Sequence, residues 1–403
     1  VAFFPFDDCM SMTLKTFSIF LVLGFLAACD HTVTEFPSAP ISEVQGEARR
    51  QTGDLAAQYL IAIRRLARTT EPMLIANAEL CPRRARSLGF SVISDFDLPV
   101  ELRNVAYARM KLNSDAQVLN VVPGTEAWDK GLRTGDTIVL LNGKLVRNAA
   151  DWRARLRKVK GDTASIGFMR DGRSFEITVT PVPICNYRLV YKWRYEASDG
   201  RDENAYRAIN AWATGSAIYV TQGMIDFADD EELALVMGHE LAHNIMHHIR
   251  KKRTNTMIID ITSNIVDTVT GSVGLGEPAN ALLQYLETKK WSPRFEKEAD
   301  YVGLYLLARA GGNIDGAAAL ERRLGVSGGP DNILHTNPIY PHTHPMSAER
   351  AAIQARTVAE IHAKQRQGLD LMPNLRTSWV FGQKYSIWDA EEEDPWLDED
   401  LNH

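Results

Sequence analysis

The stretch Asp229-Asp-Glu-Glu-Leu-Ala-Leu-Val-Met-Gly-His239-Glu240-Leu-Ala-His243-Asn-Ile-Met-His247-His248 decides how the rest of this chain is read. Its first turn is acidic, its middle is built of helix formers, and Arg250-Lys-Lys-Arg253 follows it. Both charge runs complement a helix dipole, so the segment is predicted to be a helix. On it His239 and His243 stand nearly one turn apart, so their imidazoles leave one face about 6 Å apart along the axis and can share one metal ion. Glu240, rotated by about 100°, faces water on such an ion and not the ion itself. Zinc brings bound water to a pKa of about 7, and a carboxylate at that place takes its proton and passes it to a leaving amine. His247 has drifted off the ligand face by a second turn and His248 points elsewhere, so both are read as structural.

Two imidazoles need a third protein ligand. A metzincin would carry Gly and His where Met246 and Ile249 stand, so that class is excluded. Downstream, Trp291-Ser-Pro293-Arg-Phe-Glu296-Lys-Glu298-Ala299-Asp300-Tyr-Val-Gly303 reads as a helix opened by Pro293, with Glu296 and Asp300 on one face. A two-His, one-Glu set with an open fourth position suits catalytic zinc, and Asp300 can hydrogen-bond a ligand imidazole from behind. Spacing alone does not separate Glu296 from the neighbouring acids.

Taken together, His-Glu-x-x-His and Glu-x-Glu-Ala-Asp-x-x-Gly resemble the HtpX-like and prenyl-protease-like gluzincins, peptidase family M48, over about residues 210–350. The resemblance implies zinc held by His239, His243 and Glu296, not Glu298, with Glu240 as general base and Asp300 behind the ligands. It also implies that Asn210-Ala-Trp-Ala-Thr214-Gly215-Ser-Ala-Ile218-Tyr-Val is the strand beside the metal that pairs with extended substrate. Thr214 departs from the family's small turn there. Thr343-His344-Pro345-Met-Ser-Ala-Glu-Arg350 resembles the family's His-Pro motif, which gives His344 a catalytic place: filling the fourth zinc position in a closed state, or stabilising the oxyanion. Residues 257–286, interrupted by Asp260 and Asp267, read as a lid or core helix pair and not as a membrane hairpin.

The 403 residues are 45% hydrophobic and 24% charged with a net charge of -6, which marks a globular chain of two or three domains and leaves no basic footprint for nucleic acid. Much of the negative charge lies in the tail Asp389 to Asp400. Near the start, Met12-Thr-Leu-Lys15 precedes an apolar run from Phe17 to Ala28, too short to span a bilayer but suited to a signal peptide. Leu26-Ala27-Ala28-Cys29 resembles the lipobox of bacterial lipoproteins, which implies acylation at Cys29, a membrane lipid anchor and a periplasmic location. Residues 1–11 then precede the natural start. Outside that leader only Cys81 and Cys185 remain, and in an oxidising compartment they are expected to pair.

Residues 43–83 are read as N-terminal helices of the protease, after a linker over 30–42. An amphipathic helix over Glu43 to Arg68 is followed by a second stretch that Pro82 ends. Between about 84 and 183 the pattern turns to short strands. There Pro123-Gly-Thr-Glu-Ala-Trp-Asp-Lys130-Gly131-Leu132-Arg-Thr-Gly135-Asp136-Thr-Ile138-Val-Leu-Leu141-Asn142-Gly143 resembles a bacterial-type PDZ domain. In that likeness Leu88, Gly89 and Phe90 form the loop that receives a peptide carboxylate, with a groove toward Trp152. Residues 184–366 make the metallopeptidase domain and 367–403 an arm with the acidic tail. The fold class is therefore α+β: a mainly helical zincin-type domain with a small sheet, plus a β-rich PDZ domain. The function expected is zinc-dependent endopeptidase action on protein or peptide substrates of the cell envelope, misfolded or regulatory. The alternative is a chaperone-like or PDZ-based binding protein with little proteolysis.

Overall fold

The computed structural model describes residues 37–194, 205–252, 254, 293–327 and 348–375. The chain divides after Gln51, within helix α1 (Ile41–Ala76). Of the first unit, residues 37–40 lead into the exposed start of that helix. The elements that follow belong to the second unit, Thr52–His403.

Where the sequence suggested two helices, α1 runs unbroken through Pro72. Proline inside a helix costs about 3 kcal/mol. Burying Met73 and Leu74, each worth about 1.5–3 kcal/mol, offsets it. Asn77 then stops the chain at a buried site, donating to the carbonyls of Met73 at 2.9 Å and Leu306 at 2.8 Å.

Strands β1 (Arg84–Ser87) and β8 (Val182–Cys185) pair antiparallel, with Arg84 opposite Cys185. They close off everything between them. The Cys81–Cys185 disulfide, with Cα atoms 5.5 Å apart, sits at that neck. Inside lie β2 (Phe90–Ile93), helix α2 (Val100–Met110), β3 (Ala116–Val121), β4 (Thr137–Leu141), β5 (Lys144–Leu145), helix α3 (Ala149–Leu156), β6 (Ala164–Arg170) and β7 (Arg173–Val179). The sheet runs β2-β3-β4-β6-β7 with β5 on β4, so β2 is an edge strand among the described residues. The left-handed pair Asn142 and Gly143, at φ 49° and 70°, turns β4 into β5 as the Asn-Gly signal predicts. Helix α2 was not foreseen. It buries only Leu102 and Ala106, too narrow a stripe to show in the pattern.

The insert is not a free appendage. Ala56 and Leu60 of α1 share an apolar cluster with Ile93, Leu98, Leu102, Ala106 and Leu112. Cutting out residues 84–183 would expose that face.

Beyond the insert, β9 (Arg188–Lys192), β10 (Ala211–Ala213) and β11 (Ala217–Thr221) form a small sheet in the order β10-β11-β9, with β11 and β9 parallel. Helices α4 (Asp230–Ile245), α5 (Pro293–Arg309), α6 (Ala317–Ser327) and α7 (Ala348–Arg366) complete the domain. The main core draws Leu66 and Met73 from α1, Ile218 and Val220 from β11, Leu233 and Met237 from α4, and Tyr305 and Leu306 from α5. The architecture is α+β. Among the described residues no helix is long and apolar enough to cross a membrane.

Candidate metal centre

Helix α4 starts as its sequence dictates. The Asp229 side chain accepts from the Glu232 N–H at 2.9 Å, and Glu232 answers by accepting from the Asp229 N–H at 3.0 Å, a reciprocal cap. The helix crosses α5 where two glycines meet. A Cβ at Gly238 would lie 2.9 Å from the Gly303 carbonyl oxygen, and one at Gly303 would lie 2.8 Å from the Gly238 backbone. Only glycine permits that approach. It sets His239 and His243 of one helix against Glu296 and Asp300 of the other.

The structure brings His239, His243 and Glu296 together, with one ligand atom from each within 4.8 Å of the others. His239 Nε2 and His243 Nε2 are 3.0 Å apart. A Glu296 oxygen lies 3.4 Å from the former, and its other oxygen 3.5 Å from the latter. Atoms bound tetrahedrally to one zinc ion at about 2.0–2.2 Å are separated by about 3.3–3.5 Å, so the three side chains fit that ion nearly as they stand. Glu240, on the same helix, is 2% exposed.

The tautomers agree with a cation at this point. Asp300 Oδ1 lies 2.9 Å from His239 Nδ1, and a carboxylate only accepts, so Nδ1 carries hydrogen and a neutral His239 turns a lone pair inward. His243 Nδ1 lies 3.0 Å from His248 Nδ1, and His248 Nε2 lies 2.7 Å from Glu298 Oε2. Imidazole nitrogens and a carboxylate that converge in a dry site repel unless positive charge joins them. Burial opposes charge on His239, yet Asp300 and Glu296 outweigh it and hold the imidazole up to about 10. In the absence of metal, a proton supplies that charge, and metal uptake displaces it.

Arg350 of α7 backs the centre and was not singled out from the sequence beyond its place in the His-Pro motif. Its Nε donates to Asp300 Oδ2 at 2.7 Å and a terminal nitrogen donates to Oδ1 at 2.8 Å, while the other stands 3.7 Å from Glu296 and 3.5 Å from Glu321. Burial works against the Asp300 charge, but Arg350 and His239 overcome it and hold that carboxyl down at about 2.

Other expected residues fall variously. His248 does not point away: it is 1% exposed and lies against His243. The reason is a break in the helix, which ends at Ile245, passes through left-handed His247 at φ 56° and resumes over 248–252. Asn244 accepts from the Gly215 N–H at 2.7 Å and donates to the Ala217 carbonyl at 3.3 Å, which pins the β10–β11 turn to the histidine helix. Among the described residues strand β10 is an edge of its sheet. In the insert, Leu88 and Phe90 are buried in the domain core, with Phe90 5.0 Å from the Trp152 ring. A ligand at that loop would meet backbone, and the Gly89 N–H is already given to Ser87 Oγ at 3.0 Å. Cys29, His344, residues 257–286 and the acidic tail lie outside the described residues.

Residues 190–357 match the family model for Peptidase family M48. The chain carries a peptidase M48 domain. Its relatives include the mitochondrial metalloendopeptidase OMA1 of Schizosaccharomyces pombe, 30% identical over 34% of this chain and 39% of that protein. The metalloprotease LoiP of Escherichia coli is 27% identical over 39% of this chain and 59% of its own. The chain thus spans less than two thirds of the curated relatives it matches. A quarter of the chain aligns with a solved HtrA3 PDZ domain bound to a phage-derived ligand and with the HtrA-type protease AlgW. TM-scores of 0.20 and 0.21, at 16% and 19% identity and over 89% and 30% of those chains, are too low to bear on function. The M48 domain takes in every described residue of the metal centre.

Proposed function

We propose that this chain is a zinc-dependent endopeptidase of the bacterial cell envelope, cutting peptide bonds in misfolded or regulatory proteins, with the PDZ-like insert choosing or gating substrates. The observation that carries the reading is the convergence of two imidazole nitrogens and a buried carboxylate, 3.0 to 3.5 Å apart, with Glu240 on the adjoining helix position. The M48 match and the metalloprotease names of the relatives support it.

His239, His243 and Glu296 would hold the ion. When bound, zinc supplies Lewis acidity to water and to the scissile carbonyl. Glu240 accepts the proton of the attacking water and returns it to the leaving amine; a pure binding site would need the ligands but not this base. Asp300 keeps His239 in the ligand-ready tautomer, and Arg350 keeps Asp300 charged. Strand β10, an edge among the described residues, is where an extended substrate would pair, and Asn244 fixes its register against the histidines. The envelope location rests on the lipobox ending in Cys29, and an intact mass beginning at acylated Cys29 on exported protein would support it.

The test uses two variants on an unfolded protein substrate, with zinc content measured in parallel. Glu240→Gln is expected to keep zinc and lose cleavage, and Glu296→Ala to lose zinc affinity. Cleavage by Glu240→Gln at the wild-type rate overturns the mechanism, and full zinc in Glu296→Ala moves the third ligand elsewhere.

A further inference from the structure

The histidine helix ends one residue after Asn244, yet the chain places one more histidine in the site, and neither the ligand set nor the base accounts for it. His248 is 1% exposed. Its ring stacks on Phe295 with centroids 4.6 Å apart and planes 12° from parallel. Its two nitrogens face two different partners: Nδ1 is 3.0 Å from His243 Nδ1, and Nε2 is 2.7 Å from Glu298 Oε2. The side chain of Glu298 is 41% exposed, so this line of contacts runs from the metal centre to the surface.

We propose that His248, oriented by Glu298, is a positioning residue that fixes the tautomer of His243 and so aims its Nε2 lone pair at the metal. The inference rests on the reading of His239, His243 and Glu296 as a metal site. A carboxylate has no proton to give, so the Glu298 contact puts hydrogen on His248 Nε2. In the neutral ring Nδ1 is then an acceptor. The His243 nitrogen it faces, at 3.0 Å, is Nδ1, which must therefore donate, and a neutral imidazole protonated at Nδ1 carries its lone pair on Nε2. That atom is the one 3.0 Å from His239 Nε2 and 3.5 Å from Glu296. Each ligand histidine is thus aligned from behind, but by different means. His239 leans directly on a buried carboxylate, whereas His243 reaches a surface carboxylate through a second imidazole. Stacking on Phe295 keeps the intermediate ring in the plane that serves both contacts. Without His248 the His243 ring is free to carry its proton on Nε2, and metal binding must first expel it.

Zinc affinity of the full chain, measured by competition with a chromophoric chelator, tests this apart from catalysis. His248→Phe keeps the buried ring and the Phe295 stack but removes the acceptor, and is expected to weaken zinc by about 10- to 100-fold, as loss of outer partners does. His248→Gln presents an amide oxygen to His243 and an amide N–H to Glu298, and is expected to recover affinity to within about threefold of wild type. Glu298→Ala, altered at a half-exposed position, should show an intermediate loss. The nitrogen-15 shifts of the His243 ring in metal-free protein should report hydrogen on Nδ1 in wild type and His248→Gln, and mixed tautomers in His248→Phe. Wild-type affinity in both His248→Phe and Glu298→Ala overturns the proposal, and so does a Gln variant as weak as the Phe variant. If wild-type protein itself takes up no zinc, the metal-site reading fails, and this inference with it.

Discussion

Gly238 and Gly303 meet backbone to backbone, so closely that a Cβ on Gly303 would stand 2.8 Å from the Gly238 carbonyl and from the His239 nitrogen. That contact holds the His239 and Glu296 helices at the separation the proposed metal centre needs. Gly303→Ala should push them apart, costing about 1–3 kcal/mol as overpacking does, and should reduce zinc affinity more than tenfold. Thermal melts and zinc titration measure the two effects. Unchanged values for both would show that the crossing is looser than the structure states.

Arg350 neutralises a buried group of acids: Asp300 directly, with Glu296 and Glu321 within 3.7 Å. Arg350→Ala leaves that charge uncompensated, and removing one partner of a buried pair costs about 3–5 kcal/mol. Zinc should restore part of the loss, because the ion brings positive charge to the same carboxylates. A melt with and without zinc checks this: the zinc-induced rise in Tm is expected to be larger in the variant than in wild type.

Across the seam between α1 and the insert, Asn120 donates to Glu71 at 2.6 Å. Burial pushes the Glu71 carboxyl up to about 7, against that hydrogen bond. The folded state therefore binds more protons than the unfolded one between the ordinary glutamate range and pH 7, and stability falls as pH rises through that window. The contribution is on the order of 1–3 kcal/mol, lost by about pH 8. Denaturant midpoints of Glu71→Gln should be flatter between pH 5 and 8 than those of wild type, and higher at pH 8. A steeper dependence would contradict the assignment.

The Cys81–Cys185 bond closes a loop of 104 residues at the neck of the insert. In the chain-entropy model such a link is worth about 4–5 kcal/mol. Cys185→Ala should lower Tm by several degrees without loss of zinc, since neither cysteine belongs to the His239, His243 and Glu296 group. An equal Tm under reducing and oxidising conditions would show that the bond does not form.

The sequence by itself determined whatever depends on local spacing. Four residues between His239 and His243 set a common helix face, and the reciprocal cap of Asp229 and Glu232 set where that helix starts. The Asn142-Gly143 turn and the cysteines flanking the insert were equally legible. What only the tertiary structure decided depends on contacts between distant segments. Helix α1 continues through Pro72 because a core elsewhere in the chain covers Met73 and Leu74. Glu296 separates from Glu298 because the glycine crossing turns one toward the histidines and leaves the other for His248. His248 itself was misread on an assumed continuous helix, where it stands about 140° away from His243. One left-handed residue, His247, brings it back against that ligand, and no periodicity reveals such a break, because it is held by packing against α5 and not by the local pattern.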